Sequence, residues 1–235
     1  MTPQAGDPAL RAGIAARIAQ VLTGFAAEGA ILFLGAGSLA WSWAWVFLAI
    51  GLVTMLVNGA LLLRKRPETV AERARGWQTR GWDKVVGGLC AVAMFAGVPL
   101  VAGLDQRFGW TGTFPTEWHV AGAFLLVGGY ALLLWAMLAN AFFSTAIRIQ
   151  SERGHTVCRS GPYRFVRHPG YVAFSLQSLA TPVLLGSVWA LLPGVAAGAL
   201  LVLRTALEDR MLRAELPGYE DFAAEVRYRL VPGIW

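Results

Sequence analysis

PGYVAFSLQSLATPVLLGSVWALLPGVAAGALLVLR, residues 169–204, carries no charged side chain before its last residue, Arg204. A helix of about 20 apolar residues crosses a bilayer. This run is too long for one crossing and short for two full ones. Gly186-Ser187 near its middle supplies a turn, so a tight helical hairpin fits best. The basic residues test that reading. Two Lys/Arg lie before the first apolar stretch, seven between 64 and 84, five between 140 and 168, five from 204 onward, and one, Arg107, between 105 and 119. Lys and Arg collect on the cytoplasmic side of membrane proteins. With a hairpin, 19 of the 20 share one face, whereas a single crossing would export the last five.

Upstream, Arg17 and Arg64 bracket a stretch whose only charge is Glu28. It predicts spans at 20–40 and 44–63 with a break near Trp41-Ser42-Trp43. Two more are predicted at 85–104 and 120–139, separated by a loop holding Gly109, Gly112 and Pro115. The fold expected is an all-α integral membrane protein of about six transmembrane helices, with a helical hairpin and a cytoplasmic C-terminal amphipathic helix. Both termini then face the cytoplasm, the inner-membrane side if the source is bacterial. Residues 1–139 form a four-helix membrane region and 140–235 a region of different character, together one structural unit.

Composition agrees. The chain is 56% hydrophobic and 14% charged, with a mean hydropathy of +0.53, which excludes a disordered or ordinary water-soluble protein. The net charge of +6 follows from topology and contact with anionic membrane lipids, not from nucleic acid. Cys90 and Cys158 lack the spacing of a disulfide framework or zinc site, so no metal is expected. No secretory leader is read, since Asp7 lies where a cationic region would be. Glu28 is read as a neutral packing residue, and Met55, Met94 and Met137 as packing. Trp41, Trp43, Trp45, Trp110 and Trp118 are read as an aromatic belt at the far boundary.

His, Tyr, Arg and Glu concentrate after residue 140, so any chemistry is expected in the C-terminal half. Its densest stretch is HTVCRSGPYRFVRHPGY, 155–171. Ser160-Gly161-Pro162 reads as a turn, and Pro169 suits the first turn of a helix re-entering the membrane. His168 and the free N–H groups of that helix start then meet at the interface, a setting for an anionic group. Tyr171, three residues on, shares nearly the same face. The same residues would also serve as an interfacial anchor among headgroups. At the other end of the hairpin, Arg204 and Glu208 lie one turn apart, either as an intrahelical pair or as functional groups at the boundary. The tail, with Leu216-Pro217-Gly218-Tyr219, predicts a broken amphipathic helix with Tyr219, Phe222 and Val226 on its buried stripe.

Over residues 140–235 the sequence resembles the isoprenylcysteine carboxyl methyltransferase family and its relatives among membrane phospholipid methyltransferases. That family's pattern runs from a His-Thr-Leu-Val-like segment through Ser-Gly-x-Tyr and Arg-His-Pro-x-Tyr to a hairpin. An Arg with Glu four residues later follows, and then a Gly, Tyr and Pro tail. The resemblance implies a cytoplasm-facing site for S-adenosyl-L-methionine. By it, Gln150, His155, Thr156, Val157, Cys158, Tyr163, His168, Pro169, Gly170, Tyr171 and Glu208 would contact the cofactor, and Arg204 would be the catalytic residue, facing a lipophilic or lipid-borne methyl acceptor. The chain is shorter than the family pattern between Gln150 and His155, has Cys158 where an aliphatic residue is usual, and has Asp209 for the second Glu of the acidic pair.

These residue types suit that chemistry. His and Tyr donors and a Glu acceptor match a ligand with a carboxylate, a ribose diol and an adenine. Methyl transfer needs in-line alignment more than acid catalysis, and Arg204 would orient an anionic acceptor. Two other classes are weighed: an NADPH-dependent membrane reductase of sterol-reductase type, and a non-enzymatic bundle or small transporter.

Overall fold

A computed structural model describes residues 8–75 and 78–235, and all regular structure among them is helical. Helix α1, Pro8–Ala36, begins well before the expected residue 20, because the Ala-rich segment around Arg11 and Arg17 continues the helix beyond its apolar part. Helix α2 is Ser42–Lys65, followed by the short α3, Pro67–Glu72, and a tight turn of helix, Arg73–Arg75. The third span is α4, Gly81–Val92, and α5, Val98–Phe108, joined without a break by one wide turn at Ala93–Gly97. Pro99 lacks an N–H, and the widened turn before it accommodates that loss. Helix α6 is Thr116–Ala139.

Five stretches are long and apolar enough to cross a membrane: α1, α2, α4–α5, α6 and α8, Leu191–Glu215. Helix α7, Pro169–Leu185, has 17 residues and forms the shorter arm of a hairpin with α8. That asymmetry is why the 169–204 run looks too short for two equal spans. The turn falls at the expected place. Gly186 has φ +74°, and a Cβ there would lie 2.4 Å from His119 Cε1. Ser187 Oγ donates to Asp105 Oδ2 at 2.5 Å, and Asp105 also takes the backbone N–H and hydroxyl of Thr111. The far end of the hairpin is therefore tied to the end of α5.

Helices approach closely where a side chain is missing, as expected in lipid, where packing drives association. A Cβ at Gly122 of α6 would sit 2.4 Å from the Leu184 nitrogen of α7, and one at Gly194 of α8 equally close to the Ser178 carbonyl of α7. Trp41 and Trp43 depart from the expected belt. Trp41 is buried in the core, and Trp43 stacks on His119 at 4.4 Å between centroids. Trp45, Trp110 and Trp118 remain exposed. Met94 and Met137 are buried among packed side chains. The tail forms α9, Tyr219–Glu225, with Tyr219 and Phe222 buried and Val226 packed against the same cluster.

Candidate active site

The segment 140–168 reaches across the basic face of the bundle, and its loops wall a cavity of about 640 Å³. Gly161, at φ +59°, starts a short helical turn, Gly161–Arg164, and a Cβ there would sit 2.8 Å from Ala139 Cβ. This close approach seats Tyr163 under the end of α6, where Asn140 Nδ2 donates to its hydroxyl at 3.2 Å. Burial holds the Tyr163 phenol protonated, well above its ordinary range, so its O–H proton remains a donor.

Pro169 opens α7 as expected, and the His168 and Tyr171 rings stack at 5.8 Å between centroids. The Tyr171 hydroxyl donates to Glu208 Oε2 at 2.5 Å. Arg204 lies over the Tyr171 ring at 5.4 Å. Arg204 and Glu208 thus flank one tyrosine, and the intrahelical Arg204–Glu208 pair does not form. Instead Arg204 makes a two-pronged pair with Asp83 of α4, Nε to Oδ1 at 2.6 Å and Nη2 to Oδ2 at 2.9 Å. Its Nη2 also donates to the Thr145 carbonyl at 2.9 Å. Nη1 stays outside these bonds.

Asp209 is fully buried and accepts from Arg167 Nε at 2.7 Å, Arg229 Nε at 2.9 Å, Arg213 Nε at 3.3 Å and the Tyr219 hydroxyl at 2.9 Å. His168 Nε2 lies 3.4 Å from Asp209 Oδ1 and 3.2 Å from the Tyr219 hydroxyl. The carboxylate that follows Glu208 is therefore a knot joining α8, the α7 start and the tail. Backbone bonds from Arg167 and His168 to the carbonyls of Tyr228 and Arg229 tighten it.

Gln150 is buried with both ends of its amide occupied: Nε2 donates to the Phe142 carbonyl at 2.8 Å, and Oε1 accepts from Arg153. It shapes the loop. The Gln150 N–H donates to His155 Nδ1 at 3.3 Å. Burial, then Arg153 and Arg148, push His155 down to about 4 against the opposing pull of Glu152, so at neutral pH its ring is uncharged with the proton on Nε2. Gln150, His155, Thr156, Val157, Cys158, Tyr163, His168, Gly170, Tyr171, Arg204 and Glu208 all line the cavity, whereas Pro169 does not. Arg17, Arg73, Thr79 and Asp83, all before residue 140, line it too.

The deeper wall changes character. Ala91, Met94 and Phe95 from the third span face Phe174 and Leu201 of the hairpin, and Phe95 is half-exposed on the outside of the bundle. The cavity is polar at the basic loops and apolar toward the membrane spans.

Fold and site define a helical membrane protein with a cavity on its basic face, polar at one end and apolar at the other. Comparisons with known proteins place the likeness on a stretch that supplies part of the cavity's lining. The sequence model of the isoprenylcysteine carboxyl methyltransferase (ICMT) family matches residues 122–214, adding α6 to the stretch recognised from motifs and stopping short of the tail. The protein-S-isoprenylcysteine O-methyltransferase of Schizosaccharomyces pombe is 34% identical over 64 residues, 27% of this chain and 27% of that one. Probable enzymes of the same name from Oryza sativa subspecies indica and japonica are 33% identical over 67 residues, 28% of this chain and 35% of theirs. These alignments span about a third or less of the length of the curated relatives.

Proposed function

We propose that the chain is an S-adenosyl-L-methionine-dependent membrane methyltransferase acting on the carboxylate of an isoprenylcysteine-like or other lipophilic acceptor. The observation that carries this reading is a cavity that is polar and motif-lined at one end and walled by Met94, Phe95, Phe174 and Leu201 at the other. Its size falls within the roughly 300–1,000 Å³ usual for ligand sites.

The donor set fits the methyl donor. His155 Nε2 and the Tyr163 hydroxyl offer N–H and O–H groups, Glu208 Oε1 remains outside the Tyr171 bond as an acceptor, and residues 155–158 lie along the wall. When bound, the donor supplies a methyl group on a sulfonium, electrophilic without further activation. The residues have only to align and exclude water. Tyr171 and Glu208 hold each other in place, and Arg204, fixed by Asp83 and Thr145, turns Nη1 toward an acceptor anion. A carboxylate is already a nucleophile, so no general base is needed.

The basic face is read as cytoplasmic. A cysteine introduced at exposed Thr113, in the loop carrying one Lys/Arg, is expected to react with an impermeant thiol reagent from the outside. Methyl transfer from labelled S-adenosyl-L-methionine to an N-acylated S-farnesylcysteine, by purified protein in nanodiscs, tests the activity. Binding of NADPH in place of S-adenosylhomocysteine would favour the reductase reading.

A further inference from the structure

The basic side chains lining the cavity are not equally neutralised. Arg204 is paired with Asp83, Arg148 with Glu72 at 2.5 Å and Glu152 at 2.7 Å, and Arg167 with Asp209. Arg73, Arg17 and Lys84, the last of them exposed to solvent, have no carboxylate within ion-pair distance among the described residues. Among the described residues, Arg73 Nε is buried with no hydrogen-bond partner, and its Nη1 meets the thioether sulfur of Met137. Two cations share this corner, and burial followed by the charge of Arg17 pushes Arg73 down to about 9, still protonated at neutral pH. A guanidinium taken from water without a counterion is costly, and an incoming anion removes much of that cost.

The corner is fixed in place. Arg73 lies over the Phe143 ring at 5.4 Å, and its carbonyl accepts from Thr145 Oγ1 at 3.1 Å. The Thr145 carbonyl in turn takes Arg204 Nη2, so one residue couples Arg73 to the Arg204 side of the cavity. Phe143 also abuts α7, where a Cβ at Gly170 would lie 2.8 Å from its ring. Arg17 donates to Gln20 Oε1 at 3.3 Å, and Gln20 Nε2 donates to the Ala74 carbonyl at 3.1 Å, which ties α1 to the Arg73 turn.

We propose that Arg73, with Arg17 beside it, is the subsite that takes the free carboxylate of the lipophilic acceptor and sets a preference for a charged over a neutral headgroup. The proposal rests on the methyl-acceptor reading of the cavity. Arg204, already neutralised, orients the group; Arg73 and Arg17 supply the unmatched charge. Neither lies within the matched residues 122–214, so the subsite belongs to this chain's own N-terminal region.

The test is equilibrium binding of an S-farnesylcysteine carboxylate and of its neutral carboxamide to the full chain in phosphatidylcholine nanodiscs, without methyl donor. Wild-type protein is expected to favour the carboxylate by about tenfold or more, and Arg73→Gln to bring the two within about twofold while the carboxamide binds as before. Arg17→Gln is expected to remove part of the preference, and Arg73→Lys to keep part of it. S-adenosylhomocysteine affinity in each variant reports an intact fold. A preference that survives in the Arg73→Gln/Arg17→Gln double variant overturns the proposal. So does a result in which these changes alter only the binding of phosphatidylglycerol. Carboxylate preference lost in Arg73→Gln, with no binding of S-adenosylhomocysteine to wild type, would uphold the subsite and reject the methyltransferase reading.

Discussion

The two walls of the cavity treat charge in opposite ways. On the C-terminal wall, Asp209 gathers three arginines and a tyrosine, Glu208 holds Tyr171, and Asp83 reaches over from α4 to grip Arg204. On the N-terminal wall, Arg73 and Arg17 face the same space with a thioether, the Phe143 ring and an amide as their partners among the described residues. Buried polar groups are ordinarily satisfied, so saturated clusters hold the architecture and unsaturated ones point to a ligand. Residue identity alone does not separate these roles, since both walls are rich in arginine. The partners do.

Breaking the saturated wall gives the largest effect. Asp209→Asn leaves Arg167 buried beside a neutral amide, with Arg213 and Arg229 also deprived of their counterion, and a loss of about 3–5 kcal/mol is expected. Thermal unfolding in detergent measures it, and an unchanged transition would show that the knot is not structural. Arg73→Gln, on the other wall, is expected to leave the same transition in place or raise it.

A smaller effect separates position from charge. Arg204→Lys keeps the charge but loses the planar fork that fits Asp83, so cofactor affinity is expected to hold while methyl transfer falls at least about tenfold, equivalent to roughly 1.4 kcal/mol in the barrier. Asp83→Asn loosens the same guanidinium and is expected to lower transfer in the same way. Transfer at the wild-type rate in both variants would reduce Arg204 to a boundary residue.

A further effect is on pH. His155 is held at about 4 against its ordinary 6.5. Above 6.5 the folded and unfolded chains both carry it neutral. Between 6.5 and about 4 the unfolded chain takes up a proton that the folded chain refuses, so stability falls as pH falls and levels off below 4. Titration of the His155 ring by NMR checks the value, and a midpoint near 6.5 would remove the effect.

The hairpin was legible because its evidence is local: an uncharged run with Gly186-Ser187 at its middle and basic residues outside it. The His168–Tyr171 stack was legible because three residues on a helix start share a face. Asp83–Arg204 was not, because its partners stand 121 residues apart and Asp83 is hidden between Arg80 and Lys84 in a loop whose basicity was read as topology. A single acid in a basic loop was the available signal. Arg73 and Arg17 were likewise counted only as part of the basic face. The stretch of α1 ahead of residue 20 is not legible for a different reason: hydropathy marks where a helix enters lipid, and Ala-rich segments extend helices beyond that point. Asp209 resembled half of a ligand-binding acidic pair, whereas its burial gives it to the tail.

One cavity on the basic face is proposed to hold the methyl donor, with Glu208 among its contacts. Calorimetric titration of S-adenosylhomocysteine into wild type and Glu208→Gln in nanodiscs tests it most directly. The account predicts saturable one-site binding to wild type, no displacement by NADPH, and a loss of about 1–3 kcal/mol in the variant, the cost of removing a charged hydrogen-bond acceptor. Equal affinity in the two proteins, or displacement by NADPH, would contradict it.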